Sequence, residues 1–211
     1  MKPMNLIKTI LTIIVLYLSI QVFAQKKVEI YSSFYAFNIM KPDTASGILI
    51  ERRTRGQIYM VGGNDYKIYS NDKVLSKKLK KLSWGIKLND SIYLNCFLLK
   101  LGPWYAYAER LNDRLYFTAA ITMDKEERQK LALIGTFAGP IGAGLAGGDL
   151  ALKRFYYVLD LNTGETQYLT KEEMLKTISS QPDLIEKYKK ETEPEKIETI
   201  KYYLAELKNR F

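Results

Sequence analysis

The chain has 211 residues, 47% of them hydrophobic, and a net charge of +9. Its length and apolar content suffice for one domain with a hydrophobic core, or for a domain with a small appendage. It contains no histidine, which excludes Ser-His-Asp and Cys-His catalysis and any zinc site with histidine ligands. No residue pattern predicts a cofactor or a metal, and we expect neither.

Residues 1–24 have the features of a signal peptide. Lys2 and Lys8 form a basic start, an apolar stretch covers residues 10–20, and Val22-Phe23-Ala24 fits a cleavage site. We therefore expect an exported protein in the periplasm, at the cell surface or outside the cell. In that location its positive charge suits an anionic envelope component, such as lipid, lipopolysaccharide or acidic glycan, or another envelope protein. Peripheral membrane contact stays open, nucleic acid is not expected, and the alternative is that the charge only maintains solubility.

The first predicted elements after the signal peptide are β-strands. Val28–Met40 is rich in aromatic and β-branched residues and predicts one strand, and Ile48–Glu51 predicts a second. Gln57–Val61 and Tyr66–Ser70 alternate between apolar and polar residues, and the glycines of the 62–65 connection allow a tight turn. We expect these two segments to form a hairpin.

A short helix with a lysine-rich outer face should follow. Leu75, Leu79 and Leu82 have helical spacing, and Asn71 or Asp72 is available as N-cap. Together with an arginine cluster before Gly56, its lysines could bind anions, since arginine contacts carboxylate or phosphate in a bidentate manner. The alternative is a solvated face and a charged edge strand. The anion-binding candidates are Arg52, Arg53, Arg55, Lys77, Lys78 and Lys81.

An internal repeat predicts two further hairpins. The sequence LNDSIY within Ser83–Cys96 is echoed by LNDRLY within Tyr105–Ala120, and Asn-Asp suits a two-residue turn. We expect Ile86 to share a buried face with Leu94. Cys96, the only cysteine, cannot form an intramolecular disulfide and is interpreted as a small buried side chain.

Aromatic residues gather between the two hairpins. Trp104, Tyr107 and Glu109 could stack on and hydrogen-bond a sugar, although aromatic residues at alternating strand positions are more often core. We expect Trp104 to be partly exposed. Glu109 is the one acid that we nominate for a glycan hydrolase using paired carboxylates, and the sequence identifies no partner for it.

Residues 131–148 form an uncharged segment with six glycines. Its length is at the lower limit for a membrane span, but its small residues and the central Pro140 argue against one. We expect it to reverse at Pro140 and to be buried against its own domain, with membrane contact or self-association as alternatives. The candidate contact residues are Gly135, Gly139, Gly144 and Gly148.

A last hairpin and three helices complete the chain. Ala151–Leu161 and Glu165–Leu169 flank a glycine turn. Beyond them, Thr170, Ser180 and Thr192 each begin a capping-box pattern. We expect an α+β fold: an antiparallel β-meander sheet or partly open barrel, with the glycine-rich apolar insertion and C-terminal helices. The expected divisions are a signal peptide (1–24), a mainly β domain (25–169) and helices packed on it (170–211).

Three segments resemble a family of exported Bacteroidetes proteins of unknown function. They are LNDSIYLNC in the first Asn-Asp hairpin, the glycine-rich segment, and RFYYVLDLNTGETQYLTKEEM over residues 154–174. The resemblance implies export and an α+β fold, and it assigns no catalytic residue. We interpret the protein as a non-enzymatic envelope module that binds or scaffolds. The alternatives are a membrane-associated or self-associating protein and a carboxylate-based glycan hydrolase.

Overall fold

The computed structural model describes residues 27–120 and 150–210. The predicted signal peptide and the glycine-rich segment, with Gly135, Gly139, Gly144 and Gly148, lie outside these residues. The described part is an open antiparallel sheet with helices that are mostly C-terminal. The α+β prediction is therefore confirmed, and the sheet does not close into a barrel.

In the described part of the chain, ten strands form the sheet, in the order β10-β9-β8-β7-β6-β5-β1-β2, with the β3–β4 hairpin attached where Tyr66 pairs with Tyr105. The strands are β1 (Val28–Tyr31), β2 (Asp43–Ala45), β3 (Ile48–Arg52), β4 (Tyr66–Ser70), β5 (Gly85–Leu88), β6 (Ser91–Asn95), β7 (Tyr105–Leu111), β8 (Arg114–Ala119), β9 (Phe155–Asp160) and β10 (Thr166–Tyr168). The helices discussed below are α1 (Phe34–Asn38), α2 (Arg55–Val61), α3 (Lys73–Lys81), α4 (Lys171–Thr177), α5 (Pro182–Lys189) and α6 (Ile197–Lys208).

The two Asn-Asp hairpins are confirmed as β5–β6 and β7–β8. Asn89 and Asn112 both adopt φ of +53°, the left-handed conformation that this turn needs. The expectation that Ile86 and Leu94 share a face is wrong, because the two-residue turn places Ile86 opposite Tyr93. Ile86 and Leu94 therefore lie on opposite faces, and both are buried.

Two predicted strand segments contain helices. β1 ends at Tyr31 and is followed by α1, where Ser33 accepts a hydrogen bond from Ala36 N at 3.1 Å. The segment Gln57–Val61 lies within α2, whose N-terminus is a full capping box between Thr54 and Gln57. β4 consequently pairs with β3 instead of with residues 57–61. These local caps outweigh the alternating apolar pattern that predicted strands.

Both faces of the sheet are covered. On one face, Phe37 of α1 packs with Trp84, Leu94 and Phe117 in a continuous core. On the other face the cover consists of two separate parts. α3 and the β3–β4 hairpin pack over one end of the sheet, and the predicted C-terminal helices α4–α6 pack over β8 and β9 at the other end. The gap between these two parts is a cleft.

Candidate binding cleft

The cleft has a volume of about 460 Å³ and lies over the middle of the sheet. Strands β7, β8 and β9 form its floor. The β3–β4 hairpin forms one wall and α6 forms the other. The lining residues are Arg52, Asp65, Tyr66, Tyr107, Glu109, Tyr116, Phe117, Thr118, Tyr156, Lys201, Leu204 and Ala205. We call this feature the tyrosine cleft, after its four tyrosines.

Strand register brings the tyrosines together. Tyr107 lies opposite Tyr93 on the neighbouring strand, and their ring centroids are 5.8 Å apart. Tyr66 reaches Tyr93 from the β3–β4 hairpin at 5.1 Å, also edge to face. Thr118 lies opposite Tyr156 on the far side of the floor. Tyr107 is 38% exposed, so part of its ring is available to a bound molecule.

Glu109 is the unpaired acid of the cleft. It follows Tyr107 by two positions on β7 and lies opposite Tyr116 on β8. Within the described part of the chain it makes no ion pair. Burial, then the Glu109 carboxylate, raises the pKa of Tyr107, and the same two causes raise the pKa of Tyr156. Both phenols can donate hydrogen bonds at neutral pH, where a tyrosine is protonated even without such a shift.

Each of the two walls contributes one cationic side chain to the cleft lining, Arg52 from the β3–β4 hairpin and Lys201 from α6. Arg52 lies opposite Tyr66 on β3 and is exposed. Lys201 is an exposed residue of α6. Neither has an ion-pair partner among residues 27–120 and 150–210. By contrast, the second acid, Asp65, accepts a hydrogen bond from Arg154 Nε at 2.7 Å and is neutralised by it.

The structure brings three of the predicted site residues together. Arg52 was predicted as an anion ligand, and Tyr107 and Glu109 as sugar contacts, and all three line the tyrosine cleft. Sequence reasoning missed Tyr66 and Lys201 in this site. Tyr66 lies in an alternating segment that was correctly predicted to be a strand. The residues around it in the cleft could not be predicted, because they depend on the β3–β4 pairing. No local pattern marks Lys201, which reaches the site through the packing of α6.

Trp104 and Arg53 lie elsewhere. Trp104 is half-buried, as expected, and the Arg53 guanidinium lies over its ring at 5.3 Å, with the Lys80 ammonium at 5.9 Å. Arg53 itself is 7% exposed, and its guanidinium donates to backbone carbonyls. A Cβ at Gly63 would come within 2.8 Å of the Trp104 ring, so this loop needs glycine. Arg53 thus anchors the structure next to the cleft.

The other predicted anion ligands are also apart from the cleft. Arg55 is exposed at the first position of α2. Lys77 and Lys81 are exposed on α3, whereas Lys78 donates to Asp43 at 2.7 Å. Their role as anion ligands stays a prediction.

Cysteine chemistry does not enter the site. Cys96 is fully buried in the core, and burial raises the pKa of its thiol, so it is not a nucleophile at neutral pH. In the ranges 27–120 and 150–210 no group of acidic or cysteine side chains is suited to hold a metal ion. No helix in those ranges is both long and apolar enough to cross a bilayer.

Comparison with known families settles the relationship of the chain. The sequence pattern of DUF6563, a family of unknown function, matches residues 29–210. The chain belongs to the DUF6563 family. The DUF6563 match includes every residue of the tyrosine cleft and confirms the predicted resemblance to a family of unknown function. No curated protein and no solved structure matches the chain. Membership in DUF6563 assigns no activity, and the bacterial group and export stay predictions.

Proposed function

We propose that this DUF6563 protein is an exported envelope protein that acts as a non-enzymatic binding module. Its ligand occupies the tyrosine cleft. The basic and apolar pattern of residues 1–24 supports export. Lys2 and Lys8 of the predicted signal peptide contribute two of the nine net positive charges, and the remaining charge of +7 supports an anionic or acidic partner in the envelope.

One observation carries the proposal: the gap in the cover of the sheet is lined mainly by tyrosines and charged side chains, with Phe117, Leu204 and Ala205 as its apolar residues. A gap that served only packing would be closed by apolar residues, because polar groups lose hydration without gaining partners there. Tyrosine offers an apolar ring and a hydroxyl, a combination enriched where proteins contact ligands. Arg52, Glu109 and Lys201 add charges that no described residue neutralises.

Cell fractionation tests export. The full chain is expressed with a C-terminal tag in its native host. We expect a product shortened at its N-terminus and recovered from the envelope or the medium. Recovery of the unshortened chain in the cytoplasm would contradict export, and with it the envelope function.

Co-sedimentation with isolated envelope material tests the role of the cleft. The protein purified from the host is mixed with washed envelopes, and the bound fraction is measured. Tyr107→Ala is expected to reduce the bound fraction at least tenfold. Tyr35→Ala is the matched control, because Tyr35 is 70% exposed and outside the cleft. Equal retention of both variants would contradict a role for the cleft.

A glycan hydrolase is the second candidate function, since Glu109 and Asp65 both line the cleft. Such enzymes use two carboxylates with separate roles. Asp65 is occupied by its ion pair with Arg154, which favours the binding function. Incubation of the purified protein with envelope polysaccharide separates the two: release of reducing ends that Glu109→Gln abolishes would establish the hydrolase.

A further inference from the structure

We infer that the tyrosine cleft binds an acidic saccharide, meaning a sugar ring that carries a carboxylate or a phosphate. This inference rests on the proposed binding function and specifies its ligand class. Three features of the cleft lead to it: the size and aromatic character of the floor, the hydrogen-bonding groups on the floor, and the sign of the charge on the walls.

The floor fits one or two sugar rings. It spans three neighbouring strands, which corresponds to about 10 Å between the outer strands. The volume of about 460 Å³ lies within the usual range for small-molecule sites. Tyr107 is partly exposed on this floor and offers a ring for the apolar face of a sugar.

The floor also matches ring hydroxyls. Glu109 lies beside Tyr107 on β7 and has no ion-pair partner among the described residues. Its carboxylate can accept hydrogen bonds from two hydroxyls at once. Tyr107 and Tyr156 also line the cleft, and each phenol, protonated at neutral pH as tyrosine ordinarily is, can donate a hydrogen bond to a sugar oxygen.

The walls favour an acidic group on the ligand. Arg52 and Lys201 line the cleft from opposite walls and make no ion pair with another described residue, whereas Asp65 is already neutralised by Arg154. Glu109 alone cannot compensate both cations. A neutral sugar would leave an unpaired cation in the occupied cleft, with less water to hydrate it. A carboxylate or phosphate removes that cost through a charge-assisted hydrogen bond, which arginine makes in bidentate form.

Isothermal titration of the purified protein tests the assignment. The probes are trigalacturonate, which carries carboxylates, glucose 6-phosphate, which carries phosphate, and maltotriose, which is neutral. We expect one of the two acidic probes to bind at least tenfold more tightly than maltotriose, and the stronger of them identifies the acidic group. Added salt should weaken this binding, since the cations are at the surface.

Matched substitutions locate the binding energy. Arg52→Gln and Lys201→Gln should each weaken the acidic probe at least fivefold. Their controls are Arg55→Gln and Lys208→Gln, which remove the same charges from exposed positions outside the cleft and should leave affinity unchanged. Equal loss in the controls would show a nonspecific effect of net charge and overturn the inference.

The outcomes separate this inference from the proposed function. Failure of all three probes, or tighter binding of maltotriose, overturns the acidic saccharide. If Tyr107→Ala still abolishes envelope retention, the proposed function stands with another ligand. If Tyr107→Ala has no effect on retention either, both are overturned.

Discussion

Arg53 shows how single residues shape the cleft wall. Its guanidinium donates to the carbonyl oxygens of Gly62 at 2.7 Å, Asn64 at 2.8 Å and Gln57 at 3.1 Å. These bonds tie the end of α2 to the loop that leads into β4. Burial lowers the pKa of Arg53, but arginine stays charged at any physiological pH. The residue that the sequence marked as an anion ligand thus holds the wall that carries Asp65.

Replacing Arg53 should destabilise the protein. Arg53→Ala leaves three carbonyl groups without their charged donor, so we expect the free energy of unfolding to fall by about 3 kcal/mol. Urea denaturation followed by circular dichroism measures the change. Arg55→Ala is the control, since this neighbour is exposed, and it should change stability by about 0.5 kcal/mol at most. A loss for Arg53→Ala no larger than the control would contradict the anchoring role.

The ion pair between Asp183 and Arg210 should make a pH-dependent contribution to stability. Arg210 donates to both its carboxylate oxygens at 2.7 Å, and this hydrogen bonding lowers the pKa of Asp183 to about 2 from 3.8. A lowered pKa in the folded state stabilises the protein above pH 4, and this contribution disappears as the pH falls toward 2. Asp183→Asn should therefore lower Tm slightly at pH 6, and the difference from wild type should shrink between pH 4 and pH 2. Glu186→Gln on the same helix is the control for the loss of one carboxylate, because Glu186 makes no ion pair among the described residues, and it should leave Tm at pH 6 unchanged.

Where a helix begins depends on the residues at its N-terminus, and α3 and α4 both begin at a predicted side-chain cap. Asp72 caps α3, accepting hydrogen bonds from Val74 N at 2.7 Å and Leu75 N at 3.2 Å. Thr170 caps α4 in the same way through Glu173 N. The other two predicted caps, Ser180 and Thr192, are wrong. α5 begins after Gln181 and α6 after Lys196, both without a side-chain cap.

The cap of α3 can be tested directly. Asp72→Ala should cost about 1 kcal/mol of unfolding free energy, because two backbone N–H groups lose their acceptor. Asn71→Ala should cost far less, since Asn71 makes no capping bond. Chemical denaturation of both variants decides which of the two residues that the sequence offered is the cap. Equal losses would contradict the assignment to Asp72.

Features that the sequence predicted correctly depend on local chemistry. The Asn-Asp turns fixed two hairpins because the turn conformation resides in the two residues themselves. α3 was evident from its leucine spacing. The strand predicted over 57–61 is wrong because the capping box between Thr54 and Gln57 begins a helix there and outweighs the alternating pattern. The cleft could be predicted only in part, since Arg52, Tyr107 and Lys201 meet through strand pairing and helix packing between distant segments.

In the molecule as a whole, the described residues on either side of the β8–β9 connection lie close together at the ends of the two strands. Ala119 pairs with Phe155 across the two strands. Ala120 N donates to Asn64 Oδ1 at 2.8 Å, and Arg154 joins Asp65 to the carbonyl of Ala151. The described residues Ala120 and Arg154, on either side of residues 121–149, therefore both contact the same loop, at Asn64 and Asp65.

Because the flanking residues lie close together, a short linker should be able to replace residues 121–149 without unfolding the protein. A linker of about eight Gly and Ser residues has an average reach of about 15 Å, which suits two ends held at one loop. We expect the shortened variant to keep the circular dichroism spectrum and cooperative unfolding of the full chain. An unfolded or aggregated variant would show that residues 121–149 complete the core. If self-association occurs in the full chain and is lost in the variant, the glycine-rich segment is the contact.

The tyrosine cleft is the proposed ligand-binding site of this protein. The most direct measurement is an NMR titration of the isotopically labelled protein with the solubilised polysaccharide fraction of the host envelope. We expect shifted amide signals to cluster on β7, β8, β9 and α6, around Tyr107, Glu109 and Lys201, and we expect Tyr107→Ala to abolish them. Shifts confined to the lysine face of α3, or an unchanged spectrum at saturating polysaccharide, would contradict this assignment.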